Sequence, residues 1–306
     1  MIFTTETMQE IIPLLQQALL KNNVTIFQVL HPDKLEGYAG TKVCIDKITY
    51  IYRSLKSWID LAELLHCKMS VPKEVGHILQ ITYTKLSKDS FHSDRKETEK
   101  YGIDSTFAQI HKMEEPSFLY YYIQALQNVK VAKRIEILNL GVNRGDEFEV
   151  IKNLLNIKEY ERLSLTGIDH SQTAIDYATQ LFEKDKYTFY AHDINEIDTL
   201  ELEQFDLLIS IGTLQSPSID FKPFFMKLVQ HYLKKDSAII LGFPNSRWIG
   251  GEMVYGAKAP NYAMSEMSLV LNDVMFCKKY LQQKKYRVTV TGKHYLFLTA
   301  TKMVSS

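Results

Sequence analysis

The chain has 306 residues, enough for one large domain or two ordinary ones at roughly 150 residues each. Hydrophobic residues make up 45% and charged residues 24%, which supports a packed core and excludes a disordered or fibrous chain. Lys plus Arg equals Asp plus Glu at 36 each, so no net field draws the molecule to nucleic acid or an anionic membrane.

The opening stretch "MIFTTETMQEIIPLLQQALL" has no basic leader, and Glu and Gln interrupt its apolar residues. It reads as an amphipathic helix rather than a signal peptide. Further on, "TKVCIDKITYIYRSLKSWIDLAELLHC" places Val43, Ile48, Ile51, Leu55, Ile59, Ala62 and Leu65 at three- and four-residue steps, which predicts one long helix. Lys73 to Leu86, after Pro72, predicts a second. The polar stretch "SKDSFHSDRKETEKYGIDST" marks a seam. We therefore expect a mainly helical N-terminal domain over 1–115, acting as a lid, a substrate cover or a homodimer surface. Three cysteines, Cys44, Cys67 and Cys277, with no Cys-x-x-Cys pair, predict buried free thiols rather than disulfides or zinc. With no run of about 18 apolar residues to span a membrane, the expected location is the cytoplasm.

From Pro116, a favoured first helical position, a helix leads into an alternating series over 116–306. Strand-like runs fall at Glu136–Leu140, Leu163–Ile168, Thr188–Tyr190, Asp206–Ile211 and Ala238–Phe243. Helical patterns lie between them at Glu147–Leu155, Thr173–Glu183 and Phe221–Leu233. Continuous apolar strands of this kind are buried on both faces, so the class is α/β with a parallel sheet covered by helices. The ending "YRVTVTGKHYLFLTATK" predicts an antiparallel hairpin, giving seven strands, mostly parallel.

In such sheets ligands settle beyond the carboxyl ends of the strands. The first strand runs into "NLGVNRGDE", where Gly141 allows a tight turn, Asn143 tolerates left-handed geometry, and Gly145 opens a helix whose amides attract anionic groups. The second strand ends in Asp169, able to accept from both ribose hydroxyls, with His170 beside it. The third ends in Asp193 and Ile194, and the fourth in Ser210 and Ile211.

On these motifs, residues 135–301 resemble the class I S-adenosylmethionine-dependent methyltransferases, which have a Rossmann-like sheet. The resemblance implies that Asn139, Gly141, Asn143 and Gly145 hold the methionine part of S-adenosylmethionine. It further implies that Asp169 with His170 holds the ribose, that Asp193 and Ile194 hold the adenine, and that Ser210 and Ile211 lie near the cofactor. Asn139 stands where the family usually has Asp or Glu, and Asn143 replaces the middle glycine. A nicotinamide dehydrogenase fits less well, because the third glycine of its fingerprint falls on Asp146.

The fourth-strand "IGTLQ" is not the Asn/Asp-Pro-Pro-Tyr/Phe of enzymes that methylate exocyclic amines of bases or the glutamine amide. With zero net charge, this favours an O, N or S nucleophile on a small-molecule acceptor over nucleic acid. The loop "GFPNSRWIGGEMVYGAKAPNYAMSE" offers Arg247 to clamp an anionic acceptor and Trp248, Tyr255 and Tyr262 to wall it. Of His92, His111, His192 and His294, His111 is the preferred proton acceptor, because it precedes the helix that enters the first strand. No cluster has metal spacing. Two other readings remain open: an RNA-modifying methyltransferase using "KVAKR" and "KKYLQQKKYR", and a catalytically silent relative acting through partners.

Overall fold

Period-two alternation, not helical spacing, organises much of the N-terminal part of the chain. The computed structural model describes residues 1–34, 36–87, 105, 109–182, 185–257 and 266–303. The chain divides into two units, Met1–Ser90 with Trp248–Val254 and Phe91–Arg247 with Tyr255–Ser306. The boundary thus falls before the expected 115/116, because the short helical turn Lys112–Glu114 packs on the helix that follows it.

The first unit contains α1 (Met8–Lys21), β1 (Val24–Leu30), β2 (Lys42–Ile45), β3 (Ile48–Ile51), α2 (Leu55–Leu64), β4 (Cys67–Met69), β5 (Lys73–Val75) and β6 (Ile78–Lys85). The mainly helical expectation is corrected here. Val43, Ile48 and Ile51 lie on a hairpin whose pair Ile45–Ile48 closes around Asp46 and Lys47, both left-handed at φ 50° and 64°. Those dihedrals match the twist of a two-residue hairpin turn, and β-branched side chains pack well on a pleated surface. The expected helix over 73–86 is likewise β5 and β6. β6 pairs antiparallel with β1, β4 and β5. Its inward residues Leu79, Ile81 and Tyr83 meet Phe27 of β1, Leu15 of α1 and Trp58 of α2. Burying each such side chain contributes roughly 1.5–3 kcal/mol. Tyr83 Oη donates to the Trp58 carbonyl at 2.5 Å, so the buried hydroxyl is satisfied. Cys67 and Cys277 are buried, but Cys44 is exposed on β2, against the expectation for all three.

The second unit contains α3 (Pro116–Asn128), β7 (Glu136–Leu140), α4 (Asp146–Leu154), α5 (Ile157–Tyr160), β8 (Ser164–Asp169), α6 (Gln172–Leu181), β9 (Tyr187–Ala191), β10 (Phe205–Ile211), α7 (Phe221–His231) and β11 (Leu233–Pro244). After β11 come the hairpin strands β12 (Ser246–Ile249) and β13 (Glu252–Tyr255), then α8 (Ser268–Gln283), β14 (Tyr286–Gly292) and β15 (Tyr295–Lys302). The large sheet has seven strands in the order β14-β15-β11-β10-β7-β8-β9. β7 to β11 run parallel, and β15 and β14 join antiparallel. Successive strand residues bury on opposite faces. Ile137, Leu207 and Ile209 pack under α3, α4 and α6, while Leu138, Leu208 and Leu241 pack under α7 and α8. From β7 the chain builds outward through β8 and β9, then returns to place β10 on the other side of β7. The strand order therefore reverses between β7 and β10, and a crevice opens at their carboxyl ends.

Candidate functional site

The turn after β7 depends on two glycines. Gly141 has φ 75°, and a Cβ there would lie 1.8 Å from Thr213 Oγ1 on the loop after β10. The bare α-carbon is thus what lets the two loops of the reversal point pass side by side. Gly145 has φ 88° and caps α4, where a Cβ would meet the Phe182 ring at 2.4 Å. Between them Asn143 takes φ 46°, the left-handed region that Asn tolerates. The amides of Gly141 and Val142 donate to the Ile168 carbonyl at 2.8 and 3.2 Å, fastening the turn to β8.

Asp169 completes that fastening. Its Oδ2 accepts from the Asn143 amide at 2.9 Å, and its Oδ1 accepts from the Ser171 amide at 3.0 Å. The residue is buried, and the half-exposed His170 places Nδ1 3.5 Å from Oδ1. A carboxylate offers about four lone-pair positions, more than these two amides use. Glycine turn and second-strand acid are thus brought together.

The other expected cofactor residues divide. Asn139 is buried at the end of β7, on the face covered by α4. Asp193 is exposed, and its Oδ1 accepts from the Asn195 amide at 2.9 Å as the cap of the short helix Ile194–Leu200; Ile194 is buried in the core. Ser210 is buried and its Oγ donates to the Leu140 carbonyl at 3.3 Å, a tie between β10 and β7 beside buried Ile211.

On the acceptor side, His111 is exposed before the Lys112–Glu114 turn. Arg247 donates from Nη1 to the Gly256 carbonyl at 2.8 Å, bracing its own loop, and burial lowers its pKa. Tyr255 is exposed, with Oη 3.3 Å from Met267 Sδ. Half-buried Trp248 belongs to the first unit. Tyr262 and His92 lie outside the described residues. His192 bonds within its own loop to Thr199 Oγ1 at 3.0 Å. His294, in the turn between β14 and β15, has Nδ1 2.9 Å from Ser117 Oγ at the start of α3. Its neighbour Tyr295 reaches the carboxyl end of β10, where a Cβ on Gly212 would lie 3.9 Å from Tyr295 Cε1. Among the described residues no group of three or more His, Cys, Asp or Glu could hold a metal ion, and no helix is long and apolar enough to cross a membrane.

Sequence reasoning missed Glu147. This second residue of α4 is 7% exposed, and burial pushes its pKa up to about 7, with Lys112 pulling down and Asp146 pushing up. One signal was available: Glu147 stands four residues before buried Ile151 and next to buried Phe148, on the inward stripe of the helix. In the tyrosine run of α3, Tyr120 is exposed and Tyr122 fully buried, with Tyr122 Oη donating to the Glu147 main-chain carbonyl at 3.2 Å.

These residues suit the donor that the resemblance implies. Asp169 sets a carboxylate against the glycine turn, and the turn bends through left-handed backbone at Gly141, Asn143 and Gly145. A family model described as a methyltransferase domain matches residues 132–292, just over half of the 306 residues. No curated protein matches. Among solved structures, the plantazolicin methyltransferase BpumL in complex with a pentazolic desmethylPZN analog and SAH is 14% identical at a TM-score of 0.46, over 68% of this chain and 95% of that one. The precorrin-6y C5,15-methyltransferase from Geobacter metallireducens GS-15 is 11% identical at 0.42, over 60% and 88%. A putative caffeoyl-CoA O-methyltransferase from Staphylococcus aureus is 12% identical at 0.42, over 67% and 100%. By the match over 132–292, joined to an acid-clamped glycine turn at the reversal point of a seven-stranded sheet, the chain belongs to the methyltransferase domain family, enzymes that use S-adenosylmethionine.

Proposed function

We propose that the chain methylates an oxygen, nitrogen or sulfur atom of a small molecule, with the donor's nucleoside held at the β7 and β8 strand ends. The observation that carries this reading is the 2.9 Å bond from the Asn143 amide to Asp169 Oδ2, which puts a ribose-competent carboxylate against the glycine turn. Bound there, S-adenosylmethionine supplies a methyl carbon on a sulfonium, open to in-line displacement by a lone pair. The protein's main task is then alignment, which can supply much of the rate without acid–base help. Gly141, Asn143 and Gly145 lie along the donor, Asp169 orients its sugar, and Asp193 with Ile194 stands toward its base.

A hydroxyl, thiol or ammonium acceptor must also lose a proton. His294 supports that role better than His111, because the Ser117 contact fixes its ring in the turn before β15, whose first residue Tyr295 lies beside Gly212. Zero net charge and the fourth-strand "IGTLQ" favour a small acceptor over RNA. Calorimetric titration with S-adenosylhomocysteine tests the donor half, and no binding at millimolar ligand would sink it. Release of S-adenosylhomocysteine in the presence of hydroxyl, amine and thiol compounds, with RNA as a separate arm, tests the acceptor half. Turnover on RNA alone would overturn it.

A further inference from the structure

The residue that follows β11 holds the turn carrying His294 on both sides of that histidine. Asn245 is 2% exposed, and its main-chain amide donates to the His294 carbonyl at 2.9 Å. This bond is the next rung beyond Pro244–Tyr295, the last pair of the β11–β15 ladder. The side chain reaches one residue further, where Nδ2 donates to the Lys293 carbonyl at 3.0 Å. Those two carbonyls belong to the two peptide planes that meet at the His294 α-carbon. With both planes held, the direction of the His294 Cα–Cβ bond is set. Ser117 Oγ then fixes the ring, 2.9 Å from Nδ1. On its other side the Asn245 carbonyl accepts from the Gly256 amide at 2.8 Å.

Folding alone gives little reason for an amide side chain at this position. Asn245 Oδ1 is buried and completes no hydrogen bond among the described residues. Turning the amide over would not satisfy it, because Oδ1 would then face the Lys293 carbonyl, acceptor against acceptor. Orphaned buried polar atoms are rare in native structures, since each one bears its full desolvation cost. The turn also has main-chain ties of its own, the rung to His294 and the Lys293 amide donating to the Tyr295 carbonyl at 3.1 Å. What the side chain adds is restraint on the peptide unit that precedes His294. Proton acceptance needs such restraint, because a base works only within about 2.6–3.2 Å of the group it serves. A misplacement of about 1 Å can cost on the order of a hundredfold in rate.

We propose that Asn245 is a positioning residue for methyl transfer, an inference that rests on the proton-accepting role proposed for His294 above. Its Nδ2 bond to the Lys293 carbonyl keeps the His294 imidazole presented to the acceptor.

The test uses Asn245→Leu, which removes the side-chain donor and the orphaned oxygen together, beside His294→Gln and the double variant. Asn245→Leu should keep the wild-type urea midpoint and bind S-adenosylhomocysteine within about twofold of the wild type. In protein labelled with nitrogen-15 at histidine, the His294 imidazole signals are identified by their loss in His294→Gln. Those signals should move or broaden in Asn245→Leu. Release of S-adenosylhomocysteine should fall at least about tenfold, measured with the hydroxyl, amine or thiol compound that the wild type methylates fastest. The double variant should stay within about twofold of His294→Gln, because a residue that acts through His294 has nothing further to lose. Asn245→Ser, which retains a donor, should recover part of the rate. Asn245→Ala, which also lacks the donor, takes the place of the leucine variant if that one does not fold. Unmoved imidazole signals, a wild-type rate, or a double variant that loses as much again overturns the proposal. Full turnover by His294→Gln overturns instead the role of His294 on which it rests.

Discussion

Asp169 is the residue on which most of the site converges, because one carboxylate holds two main-chain amides from different loops. Asp169→Asn replaces an acceptor oxygen with a donor facing one of those amides. Charge-assisted hydrogen bonds are worth roughly 1.5–3 kcal/mol, so S-adenosylhomocysteine affinity should fall on the order of tenfold to a hundredfold by calorimetry. Gly141→Ala introduces a Cβ that meets Thr213 and must adopt a positive φ. We expect a loss of about 2 kcal/mol or more in urea denaturation. Part of it should return in the double variant with Thr213→Ala, since two touching residues couple. For His294→Gln, turnover should drop on the order of a hundredfold or more while S-adenosylhomocysteine binds within about twofold of the wild type. An unaffected rate would remove His294 from the chemistry. At this scale the sequence made Gly141, Gly145 and Asp169 legible, because turn geometry and strand-end position are local properties. Thr213 and Lys112 were not, since each matters only through an approach between segments far apart in the chain.

At the scale of elements, the parallel sheet was readable because its strands are buried on both faces and stand out as apolar runs against amphipathic helices. The antiparallel strands of the first unit mix polar with apolar residues, as in β6, where Gln80, Thr82 and Thr84 alternate with Ile81 and Tyr83. Over a span such as Val43 to Leu65, a hairpin followed by a helix placed its apolar residues at steps that also fit a single helix. The deciding feature was the Asp46-Lys47 reversal, which has no glycine to announce it. A non-glycine residue in the left-handed region costs roughly 1–2 kcal/mol. Lys47→Gly should therefore stabilise the protein by up to about 1 kcal/mol, after allowing for the greater freedom of glycine in the unfolded chain, read as a shift in the urea midpoint. A lower midpoint would mean that Lys47 contributes through its side chain.

At the scale of the whole molecule, the buried carboxyl of α4 links stability to pH. Glu147 has its pKa raised from 4.5 to about 7, so the folded chain holds a proton that the unfolded chain gives up. Its contribution is complete below about pH 4.5 and is lost as pH rises through about 7, a penalty on the order of 3 kcal/mol. Glu147→Gln should accordingly be the more stable protein at about pH 8, by up to about 3 kcal/mol, and equal to the wild type near pH 4. Chemical denaturation at the two pH values measures the difference, and equal stability at pH 8 would show that the folded protein bears no such penalty.

The first unit also has a consequence for how the protein is made. It is closed by Trp248–Val254, a stretch that includes Glu252, whose carboxylate pairs with Lys68 at 2.9 Å. A nascent chain therefore cannot finish the portion it began with until β11 and the hairpin beyond it have been synthesised. Domains ordinarily mature in the order of translation. Here the earliest part to emerge must wait for a late one, and a ribosome stalled before Trp248 would display it still incomplete.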